Sequence, residues 1–276
     1  MRIQALGGFL SFIICASLAI FLIAPASGGF LTPYTRFSVS ATSDPPDPNS
    51  RVTIDYQVDG LIAAGEGQAF LVRGNTIAYN IAEDRITQKN VFEYWVSVAS
   101  ERVLYYRNDA TVFRRDGSIR RNCVFTVSLS YDGATVTAVC EATRYWNEGI
   151  QLDPPETCGA TFTATADLLY LQNVMDRYPV SLPQIYHVGR THRLFQPMFD
   201  ATNLVWKEAY ANPKILEISR ITVKAGTFRA YHQVTEDWGG LEAYVALGSY
   251  KYVWAQSAGP GTTRYNLELV SYSHAP

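Results

Sequence analysis

The chain has 276 residues, with 23 lysines and arginines against 25 aspartates and glutamates, a formal net charge of −2 and only 17% charged residues. That balance offers no basic footprint for nucleic acid or for an anionic membrane surface. Aromatic residues make up 13% of the chain, 18 of them tyrosines, a composition that suits sheets better than long solvent-facing helices.

Arg2 precedes an apolar run over 6–24, which ends in Ala24-Pro25-Ala26. A positive start, an apolar middle and a small-x-small end predict a secretory signal peptide over 1–26. The run of 19 residues would also cross a bilayer, so an uncleaved N-terminal membrane anchor is the alternative. Either way the remainder is expected to be extracytoplasmic, periplasmic or secreted, with membrane contact only through that segment. Cys15 does not read as a lipidation site, because Phe12-Ile13-Ile14 lacks the small residues such processing needs.

After the leader, 37–40 alternates as a short strand, and the prolines at 45, 46 and 48 demand a loop. Residues 52–58 alternate cleanly, and 68–73 and 76–81 read as two strands joined by a turn at Gly74-Asn75. Further strands are predicted over 91–98, 102–107 and 111–114, and 123–130 with 134–140 form a hairpin turning near Tyr131-Asp132-Gly133. Short strands with evenly spaced turns predict a mainly β fold: an antiparallel curved sheet, half-barrel or sandwich. Residues 27–150 make one β-rich module, and 147–159, with Asp153-Pro154-Pro155, mark the boundary to a second over 160–276. One short helix is expected near 166–176, since Thr165 supplies a start signal and Leu168, Leu171 and Met175 recur at helical spacing.

Past the leader the cysteines are Cys123, Cys140 and Cys158. An oxidising compartment favours one disulfide among them, and three pairings are open. A hairpin register centred between Tyr131 and Asp132 would set Cys123 opposite Cys140, so that pair is the expected one. No zinc spacing is present, and neither a metal nor a cofactor is predicted.

Residues 216–234 form the strongest local signal, two β-rich runs flanking Ala225-Gly226, where glycine supplies the positive φ of a tight reversal. Alternation puts Phe228, Ala230, His232 and Val234 on one face of the second strand. The run Val223-x-Ala225-Gly226-Thr227-Phe228-x-Ala230-Tyr231, with 252–261 and 267–272 after it, resembles extracytoplasmic bacterial families of unknown function that carry a "VPAGTF" hairpin. Lys224 stands where those families usually have proline, and the later glycine segment reads Ala258-Gly259-Pro260-Gly261. The resemblance covers roughly the last 60 residues and brings no catalytic residues. It implies a curved antiparallel sheet similar to the half-barrels of envelope lipoproteins and lipoprotein carriers.

Candidate sites are few. His187 and His192 are spaced for neither a helical nor a strand metal pair, and ordinary loop histidines are the simpler reading. His232, with Glu236 and Asp237 close in sequence, could serve as a base or ligand, although a hydrogen-bonded core histidine is the commoner case. Gly-x-Ser-x-Gly is absent, and Gly65-Glu66-Gly67 is no dinucleotide fingerprint. Acidic pairs such as Glu217 with Glu236, or Asp237 with Glu242, lack the fixed separation a glycosidase requires. Tyr250, Tyr252 and Trp254 share one face by alternation and could line an apolar pocket, stack on sugars or fill a core. The resulting expectation is an exported, non-catalytic envelope protein that binds a lipid or other apolar small molecule in its curved sheet. An envelope-protein interaction or scaffold module, and a hydrolase, are the alternatives.

Overall fold

The computed structural model describes residues 36–44, 50–65, 67–100, 102–170, 177–179, 187–237, 240–247, 252–258 and 264–273, so the leader expected over 1–26 lies outside it. Eight strands follow in succession: β1 (Arg36–Asp44), β2 (Ser50–Ala64), β3 (Gly67–Asn80), β4 (Arg85–Ser97), β5 (Val103–Phe113), β6 (Ile119–Asp132), β7 (Thr135–Asn147) and β8 (Ile150–Thr165). Shorter ones come next, β9 (Leu168–Tyr170), β10 (Arg177–Pro179), β11 (Leu194–Asp200) and β12 (Val205–Ala211). The last five are β13 (Lys214–Val223), β14 (Gly226–Thr235), β15 (Leu241–Ala246), β16 (Tyr252–Ala258) and β17 (Arg264–Ser273). Thirteen of these strands make one antiparallel sheet, ordered β13-β14-β15-β16-β17-β1-β2-β3-β4-β5-β6-β7-β8, and β10-β9-β11-β12 make a second. Because β17 pairs with β1, strands from either side of residue 150 belong to one sheet. That sheet is open, with β13 and β8 at its edges.

Alternation builds the inner face. Ile54, Tyr56 and Val58 on β2, and Phe92, Tyr94 and Val96 on β4, are all buried, while the residues between them are more exposed. Curvature brings the two ends of the sheet together, so that Val223 and Leu269 join one core with Ile54, Phe92 and Phe125. The β13–β14 hairpin tip closes on β17, where the Ala225 amide donates to the Leu269 carbonyl at 3.2 Å and Lys224 Nζ lies 3.3 Å from Glu268 Oε2. The reversal itself is Lys224-Ala225, one residue before the predicted Ala225-Gly226, and Gly226 opens β14 at φ +133°. Gly226→Val should therefore cost about 2 kcal/mol from backbone strain alone, read as a lower urea midpoint at unchanged slope. A neutral result would place the strain elsewhere.

The second sheet covers part of the inner face. Phe199 on β11 and Trp206 on β12 lie 5.2 and 5.7 Å from the Phe125 ring of β6. Arg144 of β7, buried, donates through Nη1 to the carbonyls of Ala201 at 3.3 Å and Thr202 at 3.1 Å, and through Nε to Glu156 at 2.7 Å. These bonds anchor the β11–β12 turn, whose own shape is held by Asp200 accepting from the Thr202 and Asn203 amides. The Asn203 side-chain amide, which donates to Oδ2 at 2.9 Å, and then these backbone amides and Lys207 keep the Asp200 carboxyl well below the usual range.

Two sequence expectations are overturned here. Gly74-Asn75 is not a turn: β3 runs through it unbroken, with Gly74 between Tyr56 and Phe92. Within the 147–159 stretch read as a module boundary, β8 runs on through Pro154 and Pro155. An edge strand tolerates prolines, since the side without a partner has no ladder bond to lose. The second is the helix expected near 166–176, whose start is strand β9, while 171–176 lie outside the described residues. Leu168 and Leu169 pair in parallel with Leu194 and Phe195 of β11, and Leu169 is buried, so sheet pairing outweighs the local helical spacing.

Candidate functional site

His232 sits on β14 with its ring stacked on Tyr244 of β15, 4.6 Å between centroids and 1° between planes. Its Nε2 donates to Glu242 Oε1 at 2.9 Å, because a carboxylate only accepts, while Nδ1 is 3.7 Å from Glu217 Oε1, beyond hydrogen-bond reach. Burial, then the Glu242 and Glu217 carboxylates, push the Tyr244 phenol up. The sequence neighbours Glu236 and Asp237 are elsewhere: Asp237 accepts from the Asn212 amide at 2.6 Å. An imidazole held by a stacked ring and a carboxylate is a fixed polar side chain, and no nucleophile meets it in the hydrogen bonds described.

The histidine pair at 187 and 192 separates. His187 is exposed, whereas His192 is buried with Nδ1 3.7 Å from Asp167, and burial lowers its pKa. Among the described residues no group of histidine, cysteine and carboxylate side chains could hold a metal. Tyr250 lies outside the described residues, and Tyr252 and Trp254 are described by backbone alone, on β16. A register shift between Tyr244 and Val245 opposite them interrupts the simple alternation that groups the two.

The expected Cys123–Cys140 pair does not form. The hairpin turns at Gly133-Ala134, two residues later than predicted, so Cys123 pairs with Arg144 and Cys140 with Val127. Four residues then separate them along the strand, about 13 Å by strand rise. Cys123, Cys140 and Cys158 are free thiols. Burial pushes Cys123 up to about 11 and Cys140 up to about 12. A thiol whose pKa rises on folding stabilises fully below its unfolded value, and that contribution is lost as pH climbs towards 11–12. The expected result is that Cys123 and Cys140 resist a thiol reagent in the native protein at pH 8, react on denaturation, and that stability declines above about pH 9.

A concavity on the sheet is one that sequence reading missed. It lies on the outer face of the sheet, about 670 Å³ in volume, and spans β17, β1, β2, β3 and β4. Register aligns the side chains in transverse rows. One row runs Ser273, Arg36, Gln57, Arg73, Glu93, and the next Ser271, Ser38, Asp55, Asn75, Val91. Arg36 Nε donates to Gln57 Oε1 at 2.8 Å, Gln57 Nε2 to Asp59 Oδ1 at 2.8 Å, and Arg73 bridges Asp59 at 3.3 Å and Glu93 at 3.5 Å. Ser38 donates to Asp55. This ladder fixes side chains that would otherwise move freely in water. Asn75 Oδ1 is buried there without a hydrogen-bond partner. All but Val91 are ordinary polar outward residues in the sequence, and only strand register lines them up across five strands.

One step beyond Glu93 along β4, on the same outer face, Trp95 meets Tyr105 of β5 at 4.6 Å between centroids and 39° between planes. Both rings are half-buried, and burial pushes the Tyr105 phenol up. Trp95 is on the outer face because residues 92, 94 and 96 take the inner one.

No family model matches the chain, and no curated protein matches it. Among solved structures it is similar to a candidate lipoprotein from Parabacteroides distasonis ATCC 8503, at 9% identity and a TM-score of 0.37, over 89% of this chain and 97% of that one. It is also similar to a candidate exported protein with YmcC-like fold from Bacteroides fragilis NCTC 9343, at 8% identity and a TM-score of 0.35, over 89% of this chain and 100% of that one.

Proposed function

We propose that this chain is an exported, non-catalytic protein of the cell envelope that works as an interaction or scaffold module. Export is supported by the leader pattern over 1–26 and by the resemblance carried by the Val223–Tyr231 hairpin. The observation that carries the rest is the state of the inner face. Tyr94, Tyr106, Phe125, Phe199 and Trp206 are all buried and fill the space a carrier would leave for an acyl chain. Tyr106 meets Phe125 edge-on at 5.8 Å, and Phe125 meets Phe199 at 5.2 Å, so the aromatic layer continues from one sheet into the other. Binding then falls to the outer face and the sheet edges. The competing lipid-carrier reading rests on Tyr250, Tyr252 and Trp254.

Native mass spectrometry of the protein from Ser27 onward, exported and purified without detergent, decides between the two. The expected result is a bare polypeptide mass. An added mass of lipid size that disappears on denaturation would overturn the interaction-module reading in favour of a carrier.

A further inference from the structure

We propose that the outer face of β1–β5 binds a neutral, hydroxyl-rich glycan chain, an inference that rests on the exported, non-catalytic reading above. The charges in and beside the groove cancel: Arg36, Arg73, Lys89 and Arg107 are matched by Asp55, Asp59, Glu93 and Asp109, the two rows running on to β5. A polyanion or polycation gains little from such a surface, whereas a polyol finds acceptors and donors interleaved at the spacing of the strands. Carboxylates accept from sugar hydroxyls, and the guanidinium and amide groups donate to hydroxyl oxygens. The Arg36 Nη groups carry no ion pair among the described residues. The ladder from Arg36 through Gln57 and Asp59 to Arg73 holds these groups in place before any ligand arrives, which lowers the ordering cost of binding.

The dimensions and the aromatic pair point the same way. Arg36 and Lys89 stand at opposite corners, three strands and four residue positions apart by register, or about 19 Å from strand spacing and rise. A span of that length fits several linked sugar rings better than a single small molecule. Trp95 and Tyr105 continue the track past Glu93, half-buried rings that offer apolar contact to the C–H face of a sugar.

The test is binding of the protein from Ser27 onward to an array of neutral, uronic-acid-bearing and phosphorylated glycans, followed by titration of the best neutral ligand at low and high salt. Neutral oligosaccharides are expected to bind, with affinity nearly independent of salt. Asp55→Asn and Trp95→Ala should each weaken binding about tenfold, while Trp95→Phe stays within about threefold of the parent and guards against simple misfolding. Binding confined to charged glycans, no glycan bound at all, or neutral binding unaffected by Asp55→Asn and Trp95→Ala would each overturn the proposal. A bare mass in the native spectrum alongside any of these results would leave the interaction-module reading standing, so the two can fail separately.

Discussion

Replacing Gly74 with alanine is expected to destabilise the protein by about 3 kcal/mol, a large effect for one methyl group on an open sheet. The reason is steric. A Cβ at this position would fall 2.5 Å from the Asp55 carbonyl oxygen, 2.5 Å from Tyr56 Cβ and 2.6 Å from Phe92 Cζ. Two of the three obstacles are backbone or the first atom of a side chain, so no rotamer change relieves them. Gly74 lies mid-strand, and the Phe92 ring of β4 leans into the space above it. Relief would require β2 and β3 to separate, disturbing the floor of the outer groove at Asp55 and Asn75. Urea unfolding of Gly74→Ala should show a midpoint shifted down with an unchanged slope. A shift below about 0.5 kcal/mol would mean that the strands do not approach this closely.

Phe125→Ala should cost about 4 kcal/mol, the larger of the two effects. Phe125 is 3% exposed and packs the first sheet against two rings of the second. Its ring contacts Tyr106 on the neighbouring strand and both Phe199 and Trp206 from β11 and β12. Truncation leaves a cavity bounded by three large rings that cannot all collapse into it, because Arg144 still ties the Ala201-Thr202 turn in place. The prediction has a spatial signature as well as a magnitude. Amide exchange in 194–211 should accelerate more than in 52–58, since β11 and β12 lose their main apolar contact while β2 keeps its own. Equal acceleration in both segments would show that the second sheet is not docked through this residue.

How much of this could be read in advance differs from element to element. The β-rich class, the 52–58 strand and the 216–234 hairpin were legible because alternation and a glycine at a reversal are local properties. Gly74-Asn75 misled for the same reason: a glycine beside an asparagine is a turn signal in isolation, and only the approach of Tyr56 and Phe92, 18 residues away on either side, explains a glycine inside a strand. The 166–176 segment carried helical spacing, yet Leu168 and Leu169 have partners on β11, about 25 residues later, that a local window does not contain. The cysteine pairing depended on a register two residues from the real one, and two residues are enough to part Cys123 from Cys140.

For the candidate site the contrast is sharper. His232 was placed on the strand face with Phe228 and Ala230, but its partners Tyr244 and Glu242 are chosen by the β14–β15 register, not by Glu236 and Asp237 beside it in the chain. The groove on β17, β1, β2, β3 and β4 has no sequence signature, because most of its residues are common outward-facing polar side chains. By itself, then, the sequence determined the secondary-structure class, the leader pattern and most strand positions, all of which depend on neighbours within a few residues. Tertiary structure alone decided which strands lie side by side, that β17 returns to β1, and that Phe199 and Trp206 fill the inner face. Those outcomes depend on contacts between residues far apart in the chain, where the free energy of closing the sheet outweighs any local preference.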